Sequence, residues 1–127
     1  MVGSSRRVEI YTDVVIKYAR KAVGIRANKR EVARFEAYNS RYFCPILAYA
    51  SDYHFVVMKK AQIPSLRKRL LYARYLRMML HSYRINDIHW YNVGELNGRA
   101  VIFDYADSWF SFRGWLNPLN KKLRSDL

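Results

Sequence analysis

The dipeptide Asn97-Gly98 is the short stretch that most constrains how this chain can fold. Both residue types adopt the positive φ angles that a two-residue hairpin turn requires, and Asn-Gly is a strong hairpin signal. The dipeptide lies between NVGEL and RAVIFD, two runs whose composition is typical of strands. We therefore predict a tight antiparallel β-hairpin, which follows the acid-containing stretch DIHWY and ends on Asp104.

Four strands are predicted before this hairpin. RRVEI and VVIKYAR are runs rich in β-branched residues, and Tyr11-Thr12-Asp13 separates them, which predicts two paired strands. PILAYA and HFVVMKKA predict two more strands, with the turn at Ser51-Asp52 and with HFVVM as a buried run. The first half of the chain should therefore form a small antiparallel sheet.

Two helices are predicted between and after these strands. NKREVARFEAYNSRY has apolar residues at helical spacing and Asn28 as a candidate N-cap. Pro64-Ser65 opens a longer helix that should end near Arg84. The apolar positions of this longer helix recur every three or four residues: Leu66, Leu70, Ala73, Leu76 (or Arg77), Leu80 and Tyr83.

Composition narrows the class of protein. A chain of 127 residues, 51% of them hydrophobic, is most simply one packed domain. Because it has neither the roughly 18-residue apolar run of a membrane helix nor a signal-peptide pattern, we expect a soluble, cytoplasmic protein without a membrane partner. The single cysteine, Cys44, is expected in the core. The histidines are scattered and no CxxC motif occurs, so we expect no zinc site.

The net charge of +13 indicates an affinity for polyanions, because basic surfaces attract phosphate-rich partners. Much of this charge falls on the longer predicted helix, and its residues are candidates for nonspecific contact with nucleic acid. The alternative is that they form an ordinary solvated helix face. The candidates are Arg67, Lys68, Arg74 and Arg77, with Arg69 and Arg84 nearby.

The order of elements is strand, strand, helix, strand, strand, long helix, acid-bearing loop, hairpin. With Asp87, Asn92 and Asp104, this order resembles a miniature, truncated protein-kinase-like fold of the α+β class. Kinases have a catalytic-loop aspartate, an asparagine five positions later, and a hairpin that delivers the metal-binding aspartate of the DFG motif. The resemblance implies that Asp87 orients or deprotonates an acceptor hydroxyl and that Asn92 and Asp104 hold Mg²⁺.

The N-terminal half resembles the same family. VVIK, which ends on Lys17, resembles the VAIK strand, whose lysine holds the α- and β-phosphates of ATP. GSSRRV resembles the last part of the glycine-rich loop, with Gly3 and Ser4 at its tip and Val8 covering the adenine. The resemblance thus divides the single domain 1–127 into an N-lobe-like part, 1–61, and a reduced C-lobe-like part, 62–127.

The family also pairs the strand lysine with a glutamate on the first helix. Glu31 and Glu36 are both candidates for pairing with Lys17. They differ by about 140° around a helix, so they cannot both face the lysine. We favour Glu31 as the partner.

FVVMKKA resembles the hinge of the family. Met58 or its neighbour Val56 would line the adenine pocket, and the backbone from Lys59 to Ala61 would hydrogen-bond the base. The resemblance therefore implies ATP and Mg²⁺ as ligands.

The sequence also departs from the family pattern. Ile85 and Asn86 replace the histidine and arginine of the HRD motif, and Asp104-Tyr105-Ala106 replaces DFG, as in atypical and small-molecule kinases. Only 21 residues, 107–127, follow, so we expect most of the substrate-binding lobe, and the first glycine-loop strand, to be missing. Such compact chains resemble proteins of bacterial viruses, which would place this one in the host cytoplasm.

Two function classes follow. The first is an ATP- and Mg²⁺-dependent phosphotransferase whose acceptor could be a protein. The second is a pseudokinase-like binding or inhibitor module that uses its basic face to bind a protein or nucleic acid. A cluster of aromatic residues near the C-terminus would serve as a substitute core over the long helix, as a partner surface, or as a stacking platform for bases. Its members are Trp109, Phe110, Phe112 and Trp115.

Overall fold

The computed structural model describes residues 5–38, 41–83, 85 and 88–106. Over these residues the chain has the expected α+β class, with a small antiparallel sheet, a separate hairpin and two α-helices. The sheet has the strand order β1-β2-β4-β3. The elements are β1 (Arg6–Ile10), β2 (Val14–Ala19), α1 (Ala22–Tyr38), β3 (Ile46–Tyr49), β4 (Phe55–Lys59), α2 (Leu66–Met79), β5 (Val93–Leu96) and β6 (Arg99–Ile102).

The four predicted strands of the sheet are confirmed, and all their pairings are antiparallel. The prediction of a buried run over HFVVM is wrong in part. Val56 and Met58 are buried, but His54 is exposed and Phe55 and Val57 are only half-buried. This alternation has a physical reason, because an antiparallel sheet with one well-packed face exposes every second residue on the other.

Helix α1 begins at Ala22, so the prediction of Asn28 as its N-cap is wrong. Asn28 lies inside the helix and is fully buried. The early start depends on a close approach at Gly24, where an added Cβ would lie 2.1 Å from the Ser5 carbonyl oxygen and 2.9 Å from the Ala19 Cα. Glycine therefore lets the first turn of α1 press against the backbone that begins β1.

Helix α2 begins where Pro64 and Ser65 predict it, because the Ser65 hydroxyl accepts the Lys68 N–H at 3.3 Å. It ends at Met79 and is followed by a 3-10 turn over His81–Tyr83, so the predicted end near Arg84 is five residues too late, and Arg84 itself lies outside the described residues.

The predicted apolar face of α2 is only partly correct. Ala73, Leu76 and Leu80 are buried, whereas Leu66 and Leu70 are each 50% exposed. The buried stripe is narrow because, among the described residues, α2 packs mainly on the hairpin and on two short 3-10 turns.

The predicted hairpin is confirmed. β5 and β6 pair around Asn97 and Gly98, whose φ angles are 52° and 78°. Two isolated bridges tie the hairpin to the rest of the chain, Phe43 with Ile102 and Gln62 with Glu95. The core therefore runs from the inner face of the sheet through the hairpin to α2.

Cys44 lies in this core, as expected, and its thiol donates to the Lys59 carbonyl at 2.8 Å. Burial is the main cause that raises the pKa of the Cys44 thiol to about 11. The thiol is therefore protonated and acts as a small packing residue. Among the helices described, none is long and apolar enough to cross a bilayer.

We predict that Gly24→Ala destabilises the fold, although alanine is the better helix former by about 1 kcal/mol. The new methyl group would overlap the Ser5 carbonyl and the Ala19 backbone, and overpacking of this kind costs about 1 to 3 kcal/mol. Urea unfolding measures the change. The control is Gly98→Asn, which has open space around it and which keeps a residue that tolerates positive φ. An unchanged or increased free energy of unfolding in Gly24→Ala would contradict the packing at this site.

Candidate functional site

The centre of the site is the carboxylate of Glu31, which is fully buried. Its Oε1 accepts hydrogen bonds from Lys17 Nζ and from Arg6 Nη1, each at 2.9 Å. Its Oε2 accepts the backbone N–H of Tyr105 at 2.8 Å. One side chain of α1 therefore joins β1, β2 and the segment that follows β6.

These contacts determine the protonation state of Glu31. Burial would by itself raise the pKa of this carboxyl group. The charges of Lys17 and Arg6 and the hydrogen bonds from Lys17 and Tyr105 outweigh burial, and they lower the pKa from its usual 4.5 to about 2. Glu31 is thus ionised at neutral pH and balances one of the two buried cations.

Of the two glutamates that were candidates for pairing with Lys17, Glu31 makes the contact. Glu36 is exposed, and its Oε2 accepts a hydrogen bond from the Tyr49 hydroxyl at 3.1 Å. Lys17 Nζ also donates to the carbonyl oxygen of Phe103. The lysine is therefore held between α1 and the residue that precedes Asp104.

Arg6 belongs to this buried cluster, although the sequence did not predict it there. It is 4% exposed, and its Nη1 donates to Asn28 Oδ1 at 3.1 Å as well as to Glu31. Its Nη2 donates to Asp104 Oδ1 at 3.0 Å. The strand pattern of β1 contains a signal for it. Arg6 and Val8 are two residues apart in a strand, so their side chains lie on the same face of the sheet.

Asn28, predicted as a cap, has a different role. Its side-chain amide donates to the carbonyls of Lys17 at 3.3 Å and Tyr53 at 2.9 Å, while its oxygen accepts from Arg6. Asn28 therefore orients the guanidinium and fixes α1 against strand β2 and the turn between β3 and β4.

The segment after β6 is held in place by α1 and the core. Arg34 and Arg30 donate to the carbonyls of Tyr105 and Ala106, each at 2.8 Å. The Tyr105 ring stacks on Phe43 at 4.2 Å, and its hydroxyl donates to the Cys44 carbonyl at 2.8 Å. These contacts position Asp104 at the edge of the buried cluster, with 19% of its side chain exposed.

Asn92, the other predicted metal ligand, ends a 3-10 turn over Trp90–Asn92 and is buried. Its Oδ1 accepts the His89 N–H at 2.9 Å, and its own carbonyl accepts the Phe103 N–H at 3.1 Å. The carbonyl oxygen of a carboxamide is a ligand type that suits Mg²⁺.

Asn92 and Asp104 both line one cavity of about 300 Å³. The apolar part of its wall consists of Val8, Ile10, Val15, Met58, Ala61, Ile63 and Phe103. The polar part includes Arg6, Lys17, Asn92 and Asp104, with Lys59, Lys60 and Tyr91 also lining it. The cavity thus joins an apolar slot to a cluster of two cations, an acid and an amide.

Most of the predicted nucleotide-binding residues line this cavity, and some do not. Val8, Lys17, Met58, Lys59 and Ala61 are among its walls, whereas Val56 is buried inside β4 and is not. Gly3, Ser4 and the predicted catalytic Asp87 lie outside the described residues.

Several backbone groups of the predicted hinge, Lys59 to Ala61, already have hydrogen-bond partners within the chain. The Lys59 N–H donates to the Pro45 carbonyl, and the Lys60 N–H donates to the Asp13 carbonyl, each at 2.9 Å. The Lys59 carbonyl accepts the Cys44 thiol. Ala61 takes part in none of the hydrogen bonds found between described residues, so its N–H and carbonyl are the groups that a planar ligand could use.

Among the described residues, no group of three or more His, Cys, Asp or Glu side chains could hold a metal ion. Two oxygen ligands, from Asn92 and Asp104, are nevertheless a suitable donor set for Mg²⁺. This ion commonly takes one or two protein ligands and completes its shell with water and phosphate oxygens. The pair therefore fits a metal that arrives with a phosphorylated ligand.

The four basic residues predicted to contact nucleic acid fall into two groups. Arg67 and Arg74 are exposed on α2. Lys68 pairs with Glu95 at 2.9 Å, and Arg77 Nε donates to the Ile88 carbonyl at 2.9 Å. Of these four cations, Arg67 and Arg74 are therefore the two that are exposed without a hydrogen bond or ion pair to another described residue.

No protein-family model matches this chain, and neither the curated proteins nor the solved structures contain a significant match.

The buried cluster predicts a specific pH dependence of stability. Since the folded-state pKa of Glu31 is depressed from 4.5 to about 2, its contribution is fully present above about pH 5 and disappears as the pH falls through that interval. The contribution is roughly 3 kcal/mol. Glu31→Gln should lower the free energy of unfolding at pH 7 by roughly 3 to 5 kcal/mol, because it removes the counter-charge of one of the two buried cations. The free energy of unfolding of this variant should also fall less steeply between about pH 5 and pH 2.

Urea unfolding between pH 7 and pH 2 measures both effects. Glu36→Gln is the matched control, since Glu36 is an exposed glutamate on the same helix. If the free energy of unfolding has the same pH dependence in both variants below about pH 5, Glu31 is not the group responsible for it.

Proposed function

We propose that this chain binds a nucleoside triphosphate together with Mg²⁺ and transfers its terminal phosphoryl group. The observation that carries the proposal is the single cavity in which an apolar slot meets Lys17, Asn92 and Asp104. Ligand sites in proteins are commonly mostly apolar, with a few polar groups that fix orientation. This combination suits a molecule with a flat apolar base at one end and a phosphate chain at the other.

The base would occupy the slot between the sheet and the hairpin. Val8 and Met58 supply apolar surfaces from β1 and β4, and Phe103 supplies an aromatic edge or face from the hairpin side. The Ala61 N–H and carbonyl would pair with one donor and one acceptor of the base. Such a pair gives direction to a ligand that apolar contacts alone would leave free to rotate.

The phosphates would lie at the polar end. Lys17 has three N–H donors, of which Glu31 and the Phe103 carbonyl use two. The third is available for a phosphate oxygen, and the ion pair with Glu31 keeps the ammonium in place. Mg²⁺, when bound, would neutralise phosphate charge, with Asn92 Oδ1 and Asp104 as its protein ligands.

The transfer step itself needs an acceptor. Its hydroxyl oxygen would form a bond to the terminal phosphorus while the bond to the bridging oxygen breaks, which leaves a nucleoside diphosphate. The hydroxyl proton would pass to a carboxylate. The kinase-like spacing assigns that role to Asp87, so this residue rests on the sequence resemblance, whereas Lys17 and Glu31 rest also on the geometry.

We predict that Asp87→Asn leaves nucleotide binding within about twofold of wild type, because the change is nearly isosteric. Any transfer of label from γ-labelled ATP to an acceptor in cell extract should fall by roughly 10² to 10⁴, as expected for loss of a general base. The matched control is Asp52→Asn, an exposed acid in the β3–β4 turn. Absence of nucleotide binding by the wild-type chain, with or without Mg²⁺, would refute the proposed function. Full activity in Asp87→Asn would remove only the role of Asp87.

A second candidate function, a non-catalytic binding module, is favoured by the solvent-exposed face of α2. Arg67 and Arg74 are exposed there beside Leu70 at 50%, Leu71 at 60% and Met78 at 69%. Charge and exposed apolar area together favour a protein partner with an acidic, partly apolar surface. A phosphate backbone would use the charges alone.

A salt titration with duplex DNA separates the two kinds of partner. If the face binds phosphates, Arg67→Ala and Arg74→Ala should each reduce the slope of log affinity against log salt by about one unit. Lys68→Ala should change it less, because Glu95 already neutralises Lys68. Lys21→Ala and Arg26→Ala, exposed cations near the start of α1, are charge-matched controls. If the two α1 controls reduce the slope as much as Arg67→Ala and Arg74→Ala do, α2 is not the binding face.

A further inference from the structure

Arg6 is a buried cation in the cavity wall, and the proposed function as stated above gives it no task. The side chain is 4% exposed, and its two terminal nitrogens have different partners. Nη1 is held by Asn28 and Glu31, at 3.1 and 2.9 Å. Nη2 is bound to Asp104, at 3.0 Å. One end of the guanidinium is therefore anchored to α1, and the other contacts the carboxylate that would bind the metal.

The ion pair between Arg6 and Asp104 disfavours binding of a metal ion to Asp104 when no phosphate is present. A divalent cation on the Asp104 carboxylate would lie within a few ångströms of the guanidinium. At such distances two like charges repel each other strongly in a partly buried site. Among the described residues, the ion-paired side chains Arg6, Lys17, Glu31 and Asp104 carry two positive and two negative charges. Mg²⁺ alone would add two positive charges to this cluster.

A phosphate group removes the conflict. If a phosphate oxygen takes the place of Asp104 on Nη2, the guanidinium keeps a charge-assisted hydrogen bond and no longer competes with a metal ion for the Asp104 carboxylate. Nη1 need not move in this exchange, because Asn28 and Glu31 continue to hold it. The planar, rigid fork of arginine suits such a change of partner better than the single ammonium of a lysine would.

We propose that Arg6 is a phosphate-binding residue and that its ion pair with Asp104 makes Mg²⁺ binding depend on the nucleotide. The inference rests on the proposed function and extends it. Without nucleotide, Arg6 occupies Asp104 and the site has low affinity for a free divalent cation. With nucleotide, Arg6 binds phosphate and Asp104 binds the metal, so the two ligands bind cooperatively. Arg6 is thus both a binding residue and a specificity determinant, because it selects polyphosphate ligands over uncharged ones.

The test measures Mn²⁺ binding by electron paramagnetic resonance, with and without a non-hydrolysable ATP analogue. In the wild-type chain the analogue should increase Mn²⁺ affinity about tenfold or more, within the usual range of coupling between two sites. In Arg6→Gln, Mn²⁺ should bind about tenfold more tightly than to wild type when nucleotide is absent, and the coupling should largely disappear. Metal-free binding of the analogue should weaken by a similar factor.

Two further variants keep the test decisive if Arg6→Gln does not fold. Arg6→Lys keeps the positive charge beside Glu31 but has one terminal nitrogen instead of two. The effect of the analogue on Mn²⁺ affinity should therefore lie between the effects in wild type and in Arg6→Gln. Asp104→Asn leaves the Arg6 side chain intact and releases it from its ion pair, so metal-free affinity for the analogue should increase while Mn²⁺ binding is lost. Glu36→Gln should leave every value unchanged.

The outcomes separate the inference from the proposed function. Failure of the wild-type chain to bind the analogue would overturn the proposed function itself. Wild-type binding of analogue and metal, with the same coupling in the Arg6 variants and no gain of metal-free affinity in Asp104→Asn, would overturn only the role of Arg6.

Discussion

The buried carboxylate of Glu31 is the group on which the arrangement of the site depends. A fully buried charge is tolerated only when other groups balance it, and here they come from β1, β2 and the segment after β6. Arg6 and Asp104 are in contact although 98 positions separate them in the sequence. The same interactions that satisfy Glu31 therefore bring the two ends of the described chain to one cavity. The site therefore depends on the packing of the sheet, α1 and the segment after β6 against one another.

Such a cluster is a poor way to obtain stability alone. Replacing a buried ion pair with packed apolar residues is often neutral or stabilising, whereas removing one partner is costly. A chain that needed only a scaffold could fill this space with aliphatic side chains, as it does around Leu76, Leu80 and Val101. The cluster of two cations and two acids beside the apolar cavity is therefore consistent with the charged ligand that we propose.

Local signals in the sequence predicted much of the fold. The Asn97-Gly98 turn, the strand runs and the helix start at Pro64-Ser65 each depend on a few neighbouring residues, and all three were predicted correctly. The errors concern tertiary contacts. Asn28 was assigned to a cap because the approach of α1 to Ser5 at Gly24, which allows an earlier start, involves residues distant in sequence. Arg6 was missed because an arginine in a strand is usually solvated, and nothing local shows that Glu31 and Asp104 meet there.

The exposed face of α2 and the cavity are separate surfaces. None of the residues that line the cavity belongs to α2; they come from the sheet, the linker that precedes α2, and the hairpin with the turn before it. A partner bound over Leu71 and Met78 would consequently leave the cavity walls uncovered. If the chain binds nucleotide as proposed, a partner on α2 would therefore not compete with it for the cavity. Such a partner could supply the acceptor hydroxyl of the proposed transfer, since phosphoryl transfer requires that the two reactants be held together.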